Sequence, residues 1–201
     1  MGTGVCLVAQ HHPITLAKTV ATLDHLSGGR VVLGIGFGWN EDELAHHGVA
    51  LRDRHAVTRE CVLAMQRLWT DDEAAFDGEF VRFSPSWSWP KPVQRPRPPV
   101  LIGGAGGPVL FRHVVEYADG WLPVGGSGLR ELLPALHRVA EAAGRDPATL
   151  RVVPFGTIPD RGKLDHYAAL GIDEVVLRVP AAARDDVLPV LDRYATFVAR
   201  V

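Results

Sequence analysis

Apolar and polar positions alternate along this chain in two periods, and the period keeps switching. Val5–Ala9 is a short apolar run of strand type. Pro13–Leu26 then places Ile14, Leu16, Ala17, Val20, Ala21 and Leu23 at helical spacing, and Ser27-Gly28-Gly29 stops the helix. Val31–Ile35 is the next apolar run. Asn40 is placed to cap a short helix to His47, with Glu43 in the capping-box position. Ala56–Trp69 is amphipathic, with Val57, Cys61, Ala64, Met65 and Leu68 on one face.

Phe76–Phe83 reads as a hairpin turning at Asp77-Gly78. Residues 84–99 carry Trp and Pro without a period and read as an ordered insertion or lid. Beyond them strands are expected at Val100–Ile102, Gly120–Val124, Val152–Phe155 and Glu174–Arg178. Helices are expected at Pro108–Tyr117, Leu129–Ala143, Lys163–Leu170 and Arg184–Arg200. Six strand–helix units imply a parallel sheet with helical crossovers. A closed eight-unit barrel takes roughly 31 residues per unit, so 201 residues leave about two units unaccounted for. An open doubly wound sheet suits six units equally well.

Two glycine clusters carry the candidate chemistry. Gly34-Ile35-Gly36-Phe37-Gly38-Trp39-Asn40 ends a strand in bare backbone, which lets a flat or anionic group approach. Trp39 either walls a pocket or packs as a core aromatic under the insertion. Gly103-Gly104-Ala105-Gly106-Gly107-Pro108 precedes a helix whose free N–H groups and dipole suit a phosphate, although a plain tight turn has the same composition. Neither cluster is a P-loop or a dinucleotide fingerprint.

His11-His12 and His46-His47 lack metal-ligand spacing. His12 stands out because it precedes Pro13 at a strand-to-helix turn. Cys6 and Cys61 read as reduced buried thiols of a cytoplasmic protein. A net charge of −2 gives no electrostatic case for nucleic acid or an anionic membrane, and no apolar run approaches the ~20 residues of a membrane span. No signal peptide is evident. No nucleophile motif is present either, which favours a cofactor enzyme in which the protein positions and polarises.

Several blocks together resemble the bacterial luciferase-like monooxygenase family. They are Gly2-Thr3-Gly4-Val5, His12-Pro13, Ala21-Thr22-Leu23-Asp24-His25-Leu26-Ser27-Gly28-Gly29-Arg30 and Leu33-Gly34-Ile35-Gly36. Gly38-Trp39-Asn40 followed by Glu43 resembles its deazaflavin (coenzyme F420) branch. Phe76-Asp77-Gly78-Glu79, Pro98–Gly104 and Ala118–Leu122 extend the likeness over essentially the whole chain, residues 1–201, as a single domain.

The resemblance implies a (β/α)8 TIM barrel of luciferase-like type, with about the first two β/α units missing and an insertion (76–99) before strand five. Val5–Ala9 is then the third barrel strand. The chain is accordingly expected to be an N-terminally truncated product, a misassigned start, or a member closed by its partner, with unpaired edges at Val5–Ala9 and Glu174–Arg178 that invite pairing between chains.

The resemblance also implies roles. Gly4-Val5 matches the place of a non-prolyl cis peptide behind the central flavin ring. Gly36, Phe37, Gly38 and Asn40 match the cofactor-lining loop, and Ala105, Gly106, Gly107 and Pro108 match a phosphate loop. His12 is expected to hydrogen-bond substrate or a ring carbonyl, and Trp39 to wall the substrate pocket. The implied activity is an oxidoreductase moving hydride between F420 and a small organic substrate. The alternatives are an FMN-dependent monooxygenase and a non-catalytic binding partner. A homodimer is also expected.

Overall fold

A computed structural model describes residues 1–198. Its centre is a parallel sheet of β1 (Cys6–Leu7), β2 (Leu33–Gly36), β5 (Val100–Gly103), β6 (Gly120–Leu122) and β7 (Arg151–Val152), hydrogen-bonded in that order. Val153-Pro154 interrupts the last strand, which resumes as β8 (Phe155–Thr157) and pairs in parallel with β9 (Val176–Leu177). A bridge from Val124 to Phe155 ties β8 to the chain leaving β6. Between β2 and β5 lies an antiparallel hairpin of β3 (Ala74–Asp77) and β4 (Arg82–Ser86).

This order decides between the two architectures that the sequence leaves open. A doubly wound sheet reverses its strand order at a switch point. Here every central strand lies beside the next one along the chain, so the sheet winds one way as a barrel wall does. Right-handed crossovers then put the helices on the outer face.

Side-chain partition agrees. The main core lies between sheet and helices, with Leu33, Ile35, Val100, Ile102 and Trp121 turned outward. The inner face carries a small cluster of Leu101, Leu122 and Val153, with Val32 and Phe155 against it. β1 and β9 each have one hydrogen-bonded strand neighbour among the described residues.

The outer helices are α1 (Pro13–Ser27), α2 (Glu41–His46), α3 (Arg54–Thr70), α4 (Pro108–Tyr117), α5 (Leu129–Ala142), α6 (Arg161–Ala169) and α7 (Arg184–Ala195). The end of the expected last helix, at Arg200, lies outside the described residues. Asn40 caps α2 as its position indicates, its side chain accepting from Glu43 N–H at 3.3 Å. No helix among the described residues is long and apolar enough to cross a membrane.

The Leu26-Ser27-Gly28-Gly29-Arg30 block proves to be a brace at the N-terminal end of the strands. Gly28 and Gly29 end α1 at φ 65° and 75°, a region closed to most side chains. Ser27 Oγ accepts from Arg30 N–H at 3.1 Å. Asp24, fully buried, accepts from the backbone N–H and the side-chain amide of Gln94 at 2.9 and 2.7 Å.

Lys91 is also buried. Its ammonium donates to the Leu68 carbonyl at 2.9 Å and to that of Asp71, closing the negative end of α3. These ties correct the expected lid: residues 88–99 are strapped beneath the barrel and lead into β5, because their polar anchors lie at the C-terminal ends of α1 and α3 and at the segments entering β2 and β6.

The hairpin differs in detail. The chain turns over Gly78–Val81, closed by Gly78 N–H to the Val81 carbonyl at 2.9 Å. Glu60 of α3 fills that turn, accepting from the N–H groups of Glu79, Phe80 and Val81 at 3.0, 2.8 and 2.9 Å. Burial pushes its carboxyl upward, but the three N–H donors outweigh that and hold it below the usual carboxylate range.

Glu60→Ala is expected to destabilise the fold by about 1–2 kcal/mol in urea titration at pH 7. A depressed folded-state value means the stabilisation is present above the unfolded carboxylate value. It is lost as pH falls through the lower folded one, so wild type and variant should converge in acid.

Candidate functional site

The C-terminal ends of β1, β2, β5 and β6 open on one side, and the loops after them converge there. Three positions of the wall have no room for a side chain. A Cβ on Gly34 would come within 2.0 Å of the Thr3 carbonyl oxygen. Cβ atoms on Gly36 and Gly103 would come within 2.7 and 2.8 Å of the two Val5 methyls. Val5 therefore sits across a bare backbone wall, and it keeps 40% of its surface exposed toward the mouth. The Gly4–Val5 peptide is cis, the conformation the resemblance implies.

Beside this wall, residues 104–107 lead into α4. The Trp121 indole N–H holds the Gly104 carbonyl at 2.9 Å, and its ring lies under Gly106, where a Cβ would stand 2.9 Å from it. Gly107 is extended at φ 170° with open space around it, and no side chain caps α4. The first-turn N–H groups of a ten-residue helix, started by Pro108, face the mouth unsatisfied by side chains. Asp119 and Gly120 act at the opposite end, where β5, β6 and β7 begin. Asp119 pairs with Arg97 at 2.5 Å and accepts from Val100 N–H at 2.7 Å, while Gly120 lets the Arg151 carbonyl approach.

The remaining expected residues divide. Gly38 adopts φ 79° at the loop after β2. Trp39 is 85% exposed at the mouth, which removes the core-aromatic alternative. Phe37 turns its ring the other way, onto His55 (4.2 Å between ring centroids) and His113 (5.2 Å), so it offers the mouth backbone rather than ring. Burial lowers the pKa of both histidines, which favours their neutral forms.

His12 precedes α1 and lines a groove with His47, Phe80 and Val81. That groove shares no lining residue with the inner cavity of about 200 Å³ bounded by Gly4, Gly34, Leu101 and Phe155. Cys6 and Cys61 are free thiols, and burial pushes that of Cys61 up to about 12, outside the range of a reactive thiolate.

The sequence reading passed over the loop after β6. Pro123–Gly128 contains Gly125, Gly126 and Gly128, all near φ 70°, and leads into α5, whose start no side chain caps. Tyr167 donates to the Gly125 carbonyl at 3.1 Å and braces it. A Cβ on Gly106 or on Gly128 would lie 3.0 or 3.6 Å from the same Leu132 methyl, so the two glycine loops flank one side chain. The composition of 125–128 repeats that of 103–107, and this was the available signal. A larger groove of about 450 Å³, near His137 and Ile172, lies on the outer surface at the other end of the strands. No cluster of three or more potential metal ligands occurs among the described residues.

With this geometry in place, comparison with known proteins is decisive at the level of family. The model for luciferase-like monooxygenases matches residues 1–159. The chain belongs to that family. Within it, an uncharacterized protein of Mycobacterium tuberculosis is 46% identical over 99% of this chain and 70% of its own length. An F420-dependent hydroxymycolic acid dehydrogenase of the same organism is 33% identical over 94% of this chain and 52% of its own. An F420-dependent glucose-6-phosphate dehydrogenase of Amycolatopsis mediterranei is 33% identical over 80% and 49%. The chain spans about half the length of these two F420-dependent relatives.

Among solved structures, a monooxygenase from Streptomyces bottropensis superposes with TM-score 0.79 at 21% identity, covering 97% of this chain and 76% of that one. An F420-dependent secondary alcohol dehydrogenase superposes with TM-score 0.66 at 26% identity, covering 81% and 51%. The fold is the TIM-barrel type of the luciferase-like family, and the relatives place the chain among oxidoreductases that use deazaflavin or flavin.

Gly36→Ala and Gly103→Ala should each destabilise the fold by about 1–3 kcal/mol, because the added methyl comes within 2.7 or 2.8 Å of a Val5 methyl and forces Val5 off its place on the wall. Combining either with Val5→Ala should recover much of the loss in denaturant titration. No recovery in the double variants would contradict the packing described.

Proposed function

We propose that this chain forms the cofactor face of an F420-dependent oxidoreductase that moves hydride between the deazaflavin and a small organic substrate. The single observation that carries the reading is the side-by-side placement of a bare backbone wall and an uncapped helix start. The wall of Val5, Gly36 and Gly103 fits one face of a planar ring. The α4 N-terminus behind Ala105, Gly106, Gly107 and Pro108 fits a phosphate, since Gly107 leaves the approach open. The F420-dependent relatives support the same assignment.

Bound deazaflavin would supply two-electron hydride chemistry at its ring. The chain's own contribution is position and environment. Val5 and the wall fix the plane of the ring and keep water from its far side. N–H groups of the first turn of α4 hold the phosphate end. Gly38 and Asn40 fix the loop after β2, Asn40 by capping α2.

His12, at the start of α1, is the candidate to hydrogen-bond substrate or a ring carbonyl. A second reading, an FMN-dependent monooxygenase, rests on the fold shared with flavin monooxygenases and offers the same wall and phosphate seat. Pairing between chains through the β1 and β9 edges remains part of the proposal.

Titration of the protein with F420 and with FMN, each followed by quenching of its own fluorescence, separates the readings. Saturable F420 binding at least tenfold tighter than FMN is expected, and the reverse order would establish the alternative. Gly107→Asp makes a sharper test. An aspartate at that N-cap should raise the melting temperature slightly, because Asp caps helices well, while its charge weakens F420 binding tenfold or more. A variant that loses stability and affinity together would not support the phosphate seat.

A further inference from the structure

Val5 is the side chain of the wall proposed to back the ring, and its own backbone does little to fix it. The segment is tied before it at Thr3, whose hydroxyl donates to the Gly34 carbonyl at 2.7 Å and whose N–H reaches the Val32 carbonyl at 3.4 Å. It is tied after it at Cys6 and Leu7, which pair with Ile35 and Gly36. Between these ties, among the described residues, Gly4 and Val5 make no hydrogen bond outside the strand ladder. Packing has to hold them. Val5 meets the wall at Gly36 and Gly103. Gly4 is met from across the interior, by Phe155 at the start of β8. A Cβ on Gly4 would stand within 3.1 Å of three carbons of that ring, so the ring edge fills the place of a Gly4 side chain.

We infer that Phe155 is a positioning residue: it braces the Gly4–Val5 segment from across the interior and so sets where Val5 meets the ring. The inference rests on the cofactor reading above and adds to it a residue outside the wall and outside both glycine loops. Phe155 is itself firmly placed. Its N–H donates to the Pro123 carbonyl at 2.8 Å, its carbonyl accepts from Gly125 N–H at 2.7 Å, and it pairs with Val176 of β9. Its side chain packs against the cluster of Leu101, Leu122 and Val153. Gly4 and Phe155 both line the inner cavity of about 200 Å³. With the ring removed that space widens beside Gly4, and the segment is free to draw back from the wall. A retreat of about 1 Å is enough to spoil the fit of a planar group against Val5.

The test uses the 201-residue protein in two arms. Without cofactor, methyl 13C–1H spectra of valine-labelled protein read the brace directly. Phe155→Ala should shift both Val5 methyl signals and leave those of Val20, buried on α1, in place. With cofactor, fluorescence quenching should show F420 binding weakened about tenfold in Phe155→Ala. Phe155→Leu keeps part of the volume; it should lose only about threefold, and it carries the same readouts where the alanine variant does not fold. Val153→Ala, cut from the same inner cluster, should lower thermal stability yet hold F420 affinity within about twofold of wild type. Val5→Ala removes the group through which Phe155 acts. Adding Phe155→Ala to it should therefore cost no more than about a further twofold.

Unmoved Val5 methyl signals in the Phe155 variants would overturn the inference. So would an affinity loss in Val153→Ala as large as in Phe155→Ala, because the ring would then contribute only bulk stability. Losses that multiply in the Val5→Ala background would overturn it too, since Phe155 would then act on the cofactor by a route other than Val5. A wild-type protein that quenches neither F420 nor FMN overturns the cofactor reading, and the methyl spectra then decide by themselves whether Phe155 positions Val5.

Discussion

Where the first strand meets the wall formed by β2 and β5, backbone passes so close to backbone that a side chain has no place. Thr3 lies over Gly34, and Val5 lies across Gly36 and Gly103. Much of the rest follows from that approach. With side chains excluded, the inner face near the mouth is shaped by peptide groups and one valine, which makes it flat and uncharged. The loops leaving those strands then begin from a fixed frame. The glycines here act by making room for a neighbour, and at Gly34, Gly36 and Gly103 no positive φ is involved.

The two ends of the strands divide the work. At the N-terminal end, polar groups are buried and paired: Asp24 with Gln94, Lys91 with the carbonyls closing α3, Arg97 with Asp119. Each tie joins the strap of residues 88–99, or the segment entering β5, to a helix or loop laid down elsewhere in the chain. At the C-terminal end the loops carry glycine, uncapped helix starts and exposed apolar side chains. Stability is concentrated below and recognition above, the arrangement expected of a barrel of this kind. The Leu26–Arg30 block, whose residues identify the family so specifically, belongs wholly to the lower end.

Local chemistry was legible in the sequence, and long-range chemistry was not. α4 runs over Pro108–Tyr117 as its periodicity and its Pro at the first position require, and Asn40 caps α2 from its spacing alone. The glycine clusters at 34–38 and 103–107 announced a backbone surface. Nothing local announced that Glu60 would hold a turn about 20 residues away, or that Lys91 would close α3. These side chains look like ordinary solvated charges until the strap folds back on them. The direction of the Phe37 ring was not legible, because a strand exit offers two sides and only the packing of His55 and His113 shows which one it takes. The loop 125–128 was hidden because strand β6 was expected to run on through Val124, two residues past its end.

The central claim is that ring and phosphate of one cofactor occupy the Val5 wall and the α4 N-terminus together. A crystal structure of the protein with F420 tests it most directly. The account predicts the deazaflavin ring against Val5 and its phosphate within about 2.7–3.2 Å of backbone N–H groups at the start of α4. A phosphate placed instead in the outer groove near His137, or a ring stacked away from Val5, would contradict it.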